Sequence, residues 1–233
     1  MESSAAGAAR LGLPRLHLRV TDSTNIRARE LAAAGAPDGT LVTAAGQSAG
    51  RGRQGRTWSA PAGRALLCSL VLREPARLLP LAAGVAVAEV VGPPAQVKWP
   101  NDVLLEGRKV AGILVEGRPQ ERWAVLGIGL NVAVREEDLP PELRGRAATL
   151  GLEPSAVEPT LTGLLAVLER WLRAAENDVL AAVRDRDALR DHLVRWSGGE
   201  GVGAGIDEDG RLVVATDGGE RVALDAGEVH LGR

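Results

Sequence analysis

The stretch Gly50-Arg51-Gly52-Arg53-Gln54-Gly55-Arg56-Thr57-Trp58 constrains the fold of this chain more than any other feature, because it leads into a strand and not a helix. It matches G-x-G-x-x-G, but a dinucleotide-binding fingerprint turns straight into a helix and carries an acidic residue about twenty positions on. Here Pro61, Gly63 and the apolar run Ala65 to Leu72, with Ser69 its one polar residue, come next instead. The chain therefore passes from the strand-like segment Thr40 to Ala45, through a Gly/Arg loop, into a second and central strand. A doubly wound parallel sheet does not fit that order.

The flanking segments extend the pattern. Leu16 to Val20 alternates as a strand does, and Thr21-Asp22-Ser23-Thr24 supplies N-cap residues for a helix over Asn25 to Ala34. A helix over Leu78 to Val91 stops at Pro93-Pro94. Gln96 to Trp99, Lys109 to Glu116 and Trp123 to Val132 read as hairpin-like strands, with Pro100 breaking the first and Asn101-Asp102 opening a turn. Pro159 to Ala175 and Asp178 to Val194 carry helical periodicity and are expected to back the sheet. From residue 195 short β segments near Val202, Arg211 to Thr216, Arg221 to Leu224 and Glu228 to Leu231 take over. The expected fold is α+β, a mixed β-sheet with flanking helices over residues 1–194 and a small C-terminal β domain over 195–233.

Composition narrows the function. A formal net charge of −2 gives no global basic field, so any anion site has to be local. Apolar runs all fall short of a membrane span, and Met1 to Gly12 has no basic stretch followed by an apolar one, so a cytoplasmic protein is expected. Cys68 is the only cysteine, which rules out a disulfide or zinc framework within one chain, and its apolar neighbours make it a core thiol. Of 28 basic residues only Lys98 and Lys109 are lysines. Chance can leave two, but both fall in one short segment, which asks what arginine cannot do there.

Three arginines in a glycine-rich loop can make bidentate bonds to phosphate or carboxylate, and glycine lets the backbone approach a ligand. That describes a flap closing over a phosphorylated ligand, with Trp58 able to stack on a base. It equally describes an Arg/Gly tract binding RNA nonspecifically, and the loop alone leaves both readings open. Lys98 and Asp102 can face one cleft from either side of Pro100, as a functional or a structural ion pair. Gly112, inside an apolar strand, marks a bulge or a close ligand approach.

Asp22-Ser23-Thr24-Asn25, Gln47 through Trp58, Lys98 through Asp102, Lys109 through Glu116 and Gly127-Ile128-Gly129-Leu130-Asn131-Val132 stand in the order and spacing of biotin–protein ligases. The chain resembles that family over roughly residues 16 to 135. The resemblance implies a seven-stranded mixed sheet related to class II aminoacyl-tRNA synthetase and lipoate ligase catalytic domains, followed by a small SH3-like barrel. It implies a two-step reaction: biotin and Mg-ATP form biotinyl-5'-AMP, and a lysine of a biotin carboxyl carrier domain of acetyl-CoA or a related carboxylase then takes the biotin. Ser23, Thr24, Asn25 and Gln47 would bind the ureido ring. Gly50, Arg51, Gly52 and Arg53 would close over biotin and phosphate, beside Gly112. Lys109 would bridge the acyl and phosphate oxygens, Lys98 would stabilise the phosphate, Arg53 would assist, and Asp102 would accept the amine proton. Arg56, Trp58, Asn101 and Asn131 would contact ATP or the adenylate. No residue is assigned to hold Mg2+.

No helix-turn-helix precedes the first strand, so no DNA partner is expected, and the stretch from Trp196 to Ile206 looks short for the opening strands of the barrel. Monomer and homodimer both remain open. Two rival functions stand beside the first: a lipoate or octanoyl-protein ligase on the same scaffold, and a nonenzymatic RNA-binding module using the Arg/Gly loop.

Overall fold

A computed structural model describes residues 11–225 and 227–232. Its main sheet has seven strands in the order β1-β2-β3-β7-β6-β5-β4. These are β1 (Arg15–Thr21), β2 (Leu41–Gln47), β3 (Ala65–Arg73), β4 (Gln96–Lys98), β5 (Asp102–Leu105), β6 (Arg108–Arg118) and β7 (Trp123–Asn131). Only β1 and β2 run parallel, because α1 (Thr24–Ala33) crosses between them; the other pairs are antiparallel.

Strand alternation sorts the two faces. Leu41, Leu66, Cys68, Leu70, Leu126, Ile128 and Leu130 point to one side, where α2 (Leu79–Val91), α3 (Val157–Leu172) and α4 (Glu176–Arg184) close the main core. Leu161, Leu164 and Leu168 keep helical spacing and are fully buried. Cys68 lies in this core, and burial pushes its thiol up to about 12, so it is a packing residue. On the other face α1 covers only one end, through Ala28 and Ala32 against Val42, Val71 and Val125. The uncovered part of that face carries the candidate site.

The C-terminal strands β8 (Leu193–Trp196), β9 (Gly199–Ile206), β10 (Leu212–Ala215), β11 (Arg221–Leu224) and β12 (His230–Leu231) form an open five-stranded antiparallel sheet in the order β11-β10-β9-β8-β12. Val194, Ile206, Leu212, Val214 and Val229 share the main core. The stretch that looked short holds a hairpin, β8 against β9, starting at Leu193 before the expected boundary.

Two other expectations are corrected. The helix expected over Asp178 to Val194 ends at Arg184. Beyond it Asp187 Oδ1 accepts a bond from Leu189 N (2.9 Å) and the chain runs beside Val97, while buried Ala188 and Leu189 keep the apolar spacing that mimicked a helix. Asp102 opens β5, a four-residue strand, where the sequence pattern suggests part of a turn. Among the described residues no helix is long and apolar enough to cross a membrane.

Candidate functional site

One cross-strand row organises the open face. Ala44, Leu67, Gly129, Gly112, Asp102 and Lys98 are successive partners from β2 to β4 and so share a face. In the next row along the strands, Ser69 is opposite Gly127 and Gly127 opposite Leu114. With glycine at 112, 127 and 129 the middle of the sheet has no side chains, which leaves a trough floored by backbone. A methyl group on Gly127 would stand 2.0 Å from Asn25 Oδ1, and one on Gly129 2.5 Å from Trp58 Cε2. The Trp58 indole therefore lies in the trough, and its Nε1 is buried without a partner.

A β-bulge brings Lys109 to this face. Val103 pairs with Ala111 but Leu104 pairs with Lys109, so Val110 is the extra residue. Val110 and Ala111 both go into the core, and Lys109 emerges beside Gly112, its Nζ 2.7 Å from Asp102 Oδ1 and 5.7 Å from the Trp58 ring centroid. Lys98 stands next to Asp102. Burial pulls its ammonium below the usual lysine range; Asp102 opposes that, while Lys109, Arg56 and Arg146 add to it. The Arg53 guanidinium is also lowered by burial, with Asp102 opposing.

The Gly/Arg loop closes as a small hairpin. Gly52 N donates to Arg56 O (2.7 Å), Trp58 N donates to Gly50 O (2.9 Å), and a tight turn over Arg53–Gly55 forms the tip. Gly50 cannot be larger, since a methyl there would lie 2.2 Å from Trp58 O. Each arginine reaches a different wall. Arg51 pairs with Glu116 of β6 (3.3 Å). Arg53 Nη1 donates to Asn101 Oδ1 (3.0 Å), and Asn101 Nδ2 donates to Ile113 O (2.9 Å). Arg56 pairs with Glu228.

At the other end Ser23, Thr24 and Asn25 are buried at the start of α1. Ser23 occupies the N-cap position with extended backbone yet makes no capping bond through its side chain. Thr24 N donates to Gln47 Oε1 (2.7 Å), and Ser69 Oγ lies 2.6 Å from Asn25 Oδ1. Asn25 Nδ2 donates to Glu116 Oε2 (2.9 Å). Asp22 fixes this turn by accepting from Ser23 N (2.7 Å) and pairing with Arg27, which holds its carboxyl far below the usual range.

The sequence-derived candidates other than Asn131 thus gather on or beside the open face, in two groups. Ser23, Thr24, Asn25, Gln47, Gly50, Arg51 and Gly52 sit at one end, and Arg53, Arg56, Trp58, Lys98, Asn101, Asp102, Lys109 and Gly112 at the other. Asn131 is at the rim, where its Nδ2 donates to Ala148 O (2.9 Å), a backbone role that secures the segment passing Lys109. Three residues had no signal of their own in the sequence: Arg146, Glu228 and His230. Long-range contacts bring them in. His230 Nε2 is 3.5 Å from Glu228 Oε1, and partial burial followed by Lys98, Arg56 and Arg146 lowers its pKa. Among the described residues no group of three His, Cys, Asp or Glu side chains is placed to hold a metal.

Known proteins resemble this arrangement. Residues 17–132 match the biotin/lipoate A/B protein ligase family, and residues 200–232 match the biotin protein ligase C terminal domain. A biotin--[acetyl-CoA-carboxylase] ligase of Mycobacterium tuberculosis is 37% identical, over 91% of this chain and 86% of its own. One from Paracoccus denitrificans is 34% identical, over 91% and 98%. The bifunctional ligase/repressor BirA of Bacillus subtilis is 41% identical over 60% of this chain, but the match spans only 47% of that relative. The solved biotin protein ligase from Aquifex aeolicus in complex with biotin and ATP superposes with a TM-score of 0.78 at 28% identity, covering 94% of this chain and 98% of that one.

Proposed function

The chain belongs to the biotin protein ligase family, and from that premise we propose that it joins biotin to ATP as biotinyl-5'-AMP and passes the biotin to a lysine of a carboxylase carrier domain in the cytoplasm. The observation that carries this reading is the glycine-floored trough with hydrogen-bonding groups at one end and a cation cluster at the other.

Attack of a carboxylate on the α-phosphate develops negative charge on phosphate oxygens, and prepositioned cations in a partly dry site stabilise it without reorganisation. Lys109, Lys98, Arg53 and Arg56 fit that task. Asp102 pairs with the Lys109 ammonium and would accept the proton of an incoming amine. No protein nucleophile is required. Mg2+ would enter with the nucleotide, carried on its phosphates, where it would help neutralise the charge that develops there.

Ser23, Thr24 and Gln47 favour biotin over lipoate or octanoate. A ureido ring matches hydrogen-bonding groups, whereas a dithiolane or alkyl end leaves them unpaired, a mismatch that polar sites reject strongly. The RNA-binding alternative needs arginines splayed along a surface. Here Arg51, Arg53 and Arg56 each turn to a protein partner. Biotin-dependent exchange of labelled pyrophosphate into ATP tests the proposal: exchange is expected with biotin, and none with octanoate or lipoate. Absence of exchange together with salt-dependent RNA binding would reverse it.

A further inference from the structure

Glu116 has no part in the chemistry proposed above, yet two pieces of the site, Asn25 and Arg51, meet at its carboxylate together with Arg29 of α1. Its Oε2 accepts from Asn25 Nδ2 (2.9 Å), and its Oε1 faces Arg51 (3.3 Å) and Arg29 (3.4 Å). The first contact is short and fixes the Asn25 amide, whose Oδ1 lies 2.6 Å from Ser69 Oγ. The second is of another kind. Arg51 shares one carboxylate oxygen with a second guanidinium, at long range, and its side chain is 44% exposed. Glu116 is only 18% exposed, but a single long contact to a solvent-open guanidinium is screened, and pairs of that kind shift an equilibrium by about fivefold. A phosphate or carboxylate in the trough would instead offer Arg51 a bidentate, charge-assisted partner.

We propose that Glu116 is a positioning residue, the resting counter-ion that holds Arg51, and with it the Gly50–Trp58 hairpin, against β6 until an anionic ligand takes the guanidinium. Arg53 and Arg56 are held by other elements, so Glu116 sets the position of the hairpin's first limb. The proposal rests on the function above only for the identity of the anion, biotin carboxylate or nucleotide phosphate.

Glu116→Gln separates the two contacts, since its amide oxygen still accepts from Asn25 while the charge facing Arg51 is lost. Trypsin cuts after Arg51, Arg53 and Arg56 and so reads the hairpin directly. In Glu116→Gln without ligand, cleavage there is expected to rise by about three- to fivefold, with Tm and cleavage elsewhere unchanged. Glu116→Asp, which keeps the charge, is expected to return cleavage toward wild type. With biotin and Mg-ATP, Glu116→Gln and wild type should be protected alike, with kcat unchanged and KM for biotin unchanged or lowered. Wild-type cleavage in the ligand-free Gln variant overturns the proposal, as does a raised KM at constant kcat, which would mean that Arg51 needs Glu116 in the bound state. If biotin and Mg-ATP fail to protect even the wild-type hairpin, the functional reading fails, while the ligand-free comparison still decides the part played by Glu116.

Discussion

Lys109 and Gly112 share one face of β6 although three positions separate them, because the bulge at Val110 resets the alternation between them. A regular strand would send Lys109 into the core beside Ala111. The bulge instead sets its ammonium 2.7 Å from Asp102 and above the glycine floor. Lysine is a compact charge, and arginine's wider fork would carry its charge roughly an ångström or more further out. Lys109→Arg is expected to keep its Tm and lose biotin-dependent pyrophosphate exchange by about 10²–10³-fold. Exchange at the wild-type rate would make Lys109 only a solvated charge.

The glycines of Gly127-Ile128-Gly129 predict two different failures. Alanine at 127 meets the buried Asn25 side chain, held by Ser69 and Glu116, at 2.0 Å. Overpacking of that kind costs about 1–3 kcal/mol, so Gly127→Ala should lower Tm by several degrees. Alanine at 129 meets the Trp58 ring first, at 2.5 Å, and that ring sits on the hairpin and can shift. Gly129→Ala should melt nearly as wild type but bind biotin and ATP more weakly by calorimetry. Equal effects on Tm would mean that the trough is merely packed.

The two-glycine strand, the apolar central strand and the lysine pair were legible because strand periodicity and residue type act over a few positions. The bulge was not, since Gly112 signals irregularity without fixing whether Val110 or Ala111 is the extra residue. Beyond Arg184 the pattern misled, because Ala188 and Leu189 enter the core from a non-helical segment at near-helical spacing. Glu228 and His230 could not be found locally at all. They reach the site only because the C-terminal sheet packs on the main core, and nothing near them in sequence encodes Arg56 or Lys98.

That packing has a single-residue test. Gly210 adopts φ +79°, and a methyl group there would stand 2.7 Å from Leu78 Cδ2 and 3.0 Å from Leu81 Cδ1. Its carbonyl accepts from Trp99 Nε1 (3.0 Å), next to Lys98. Gly210→Ala therefore combines backbone strain with overpacking where the turn between β9 and β10 meets the start of α2. A loss of about 1–3 kcal/mol is expected, or a Tm lower by about 2–4 °C per kcal/mol. An unchanged Tm would show that the C-terminal sheet docks too loosely to position Glu228.

Lys98 links the site to pH. Burial, helped by Lys109, Arg56 and Arg146, lowers its pKa in the folded chain from the ordinary 10.5, against the pull of Asp102. Between the folded value and 10.5 the unfolded chain holds this proton and the folded chain does not. Stability gained from this group therefore rises with pH across that window. Catalysis runs the other way, because a neutral Lys98 no longer stabilises phosphate charge. As pH climbs, kcat/KM for exchange should fall while Tm gains from Lys98. Arginine keeps its proton throughout, so Lys98→Arg, though slower, should move the alkaline limb of kcat/KM to higher pH and remove this contribution to Tm. An alkaline limb at the wild-type pH in Lys98→Arg would assign it to another group and take Lys98 out of the phosphate chemistry, leaving it as a half-buried neighbour of Asp102.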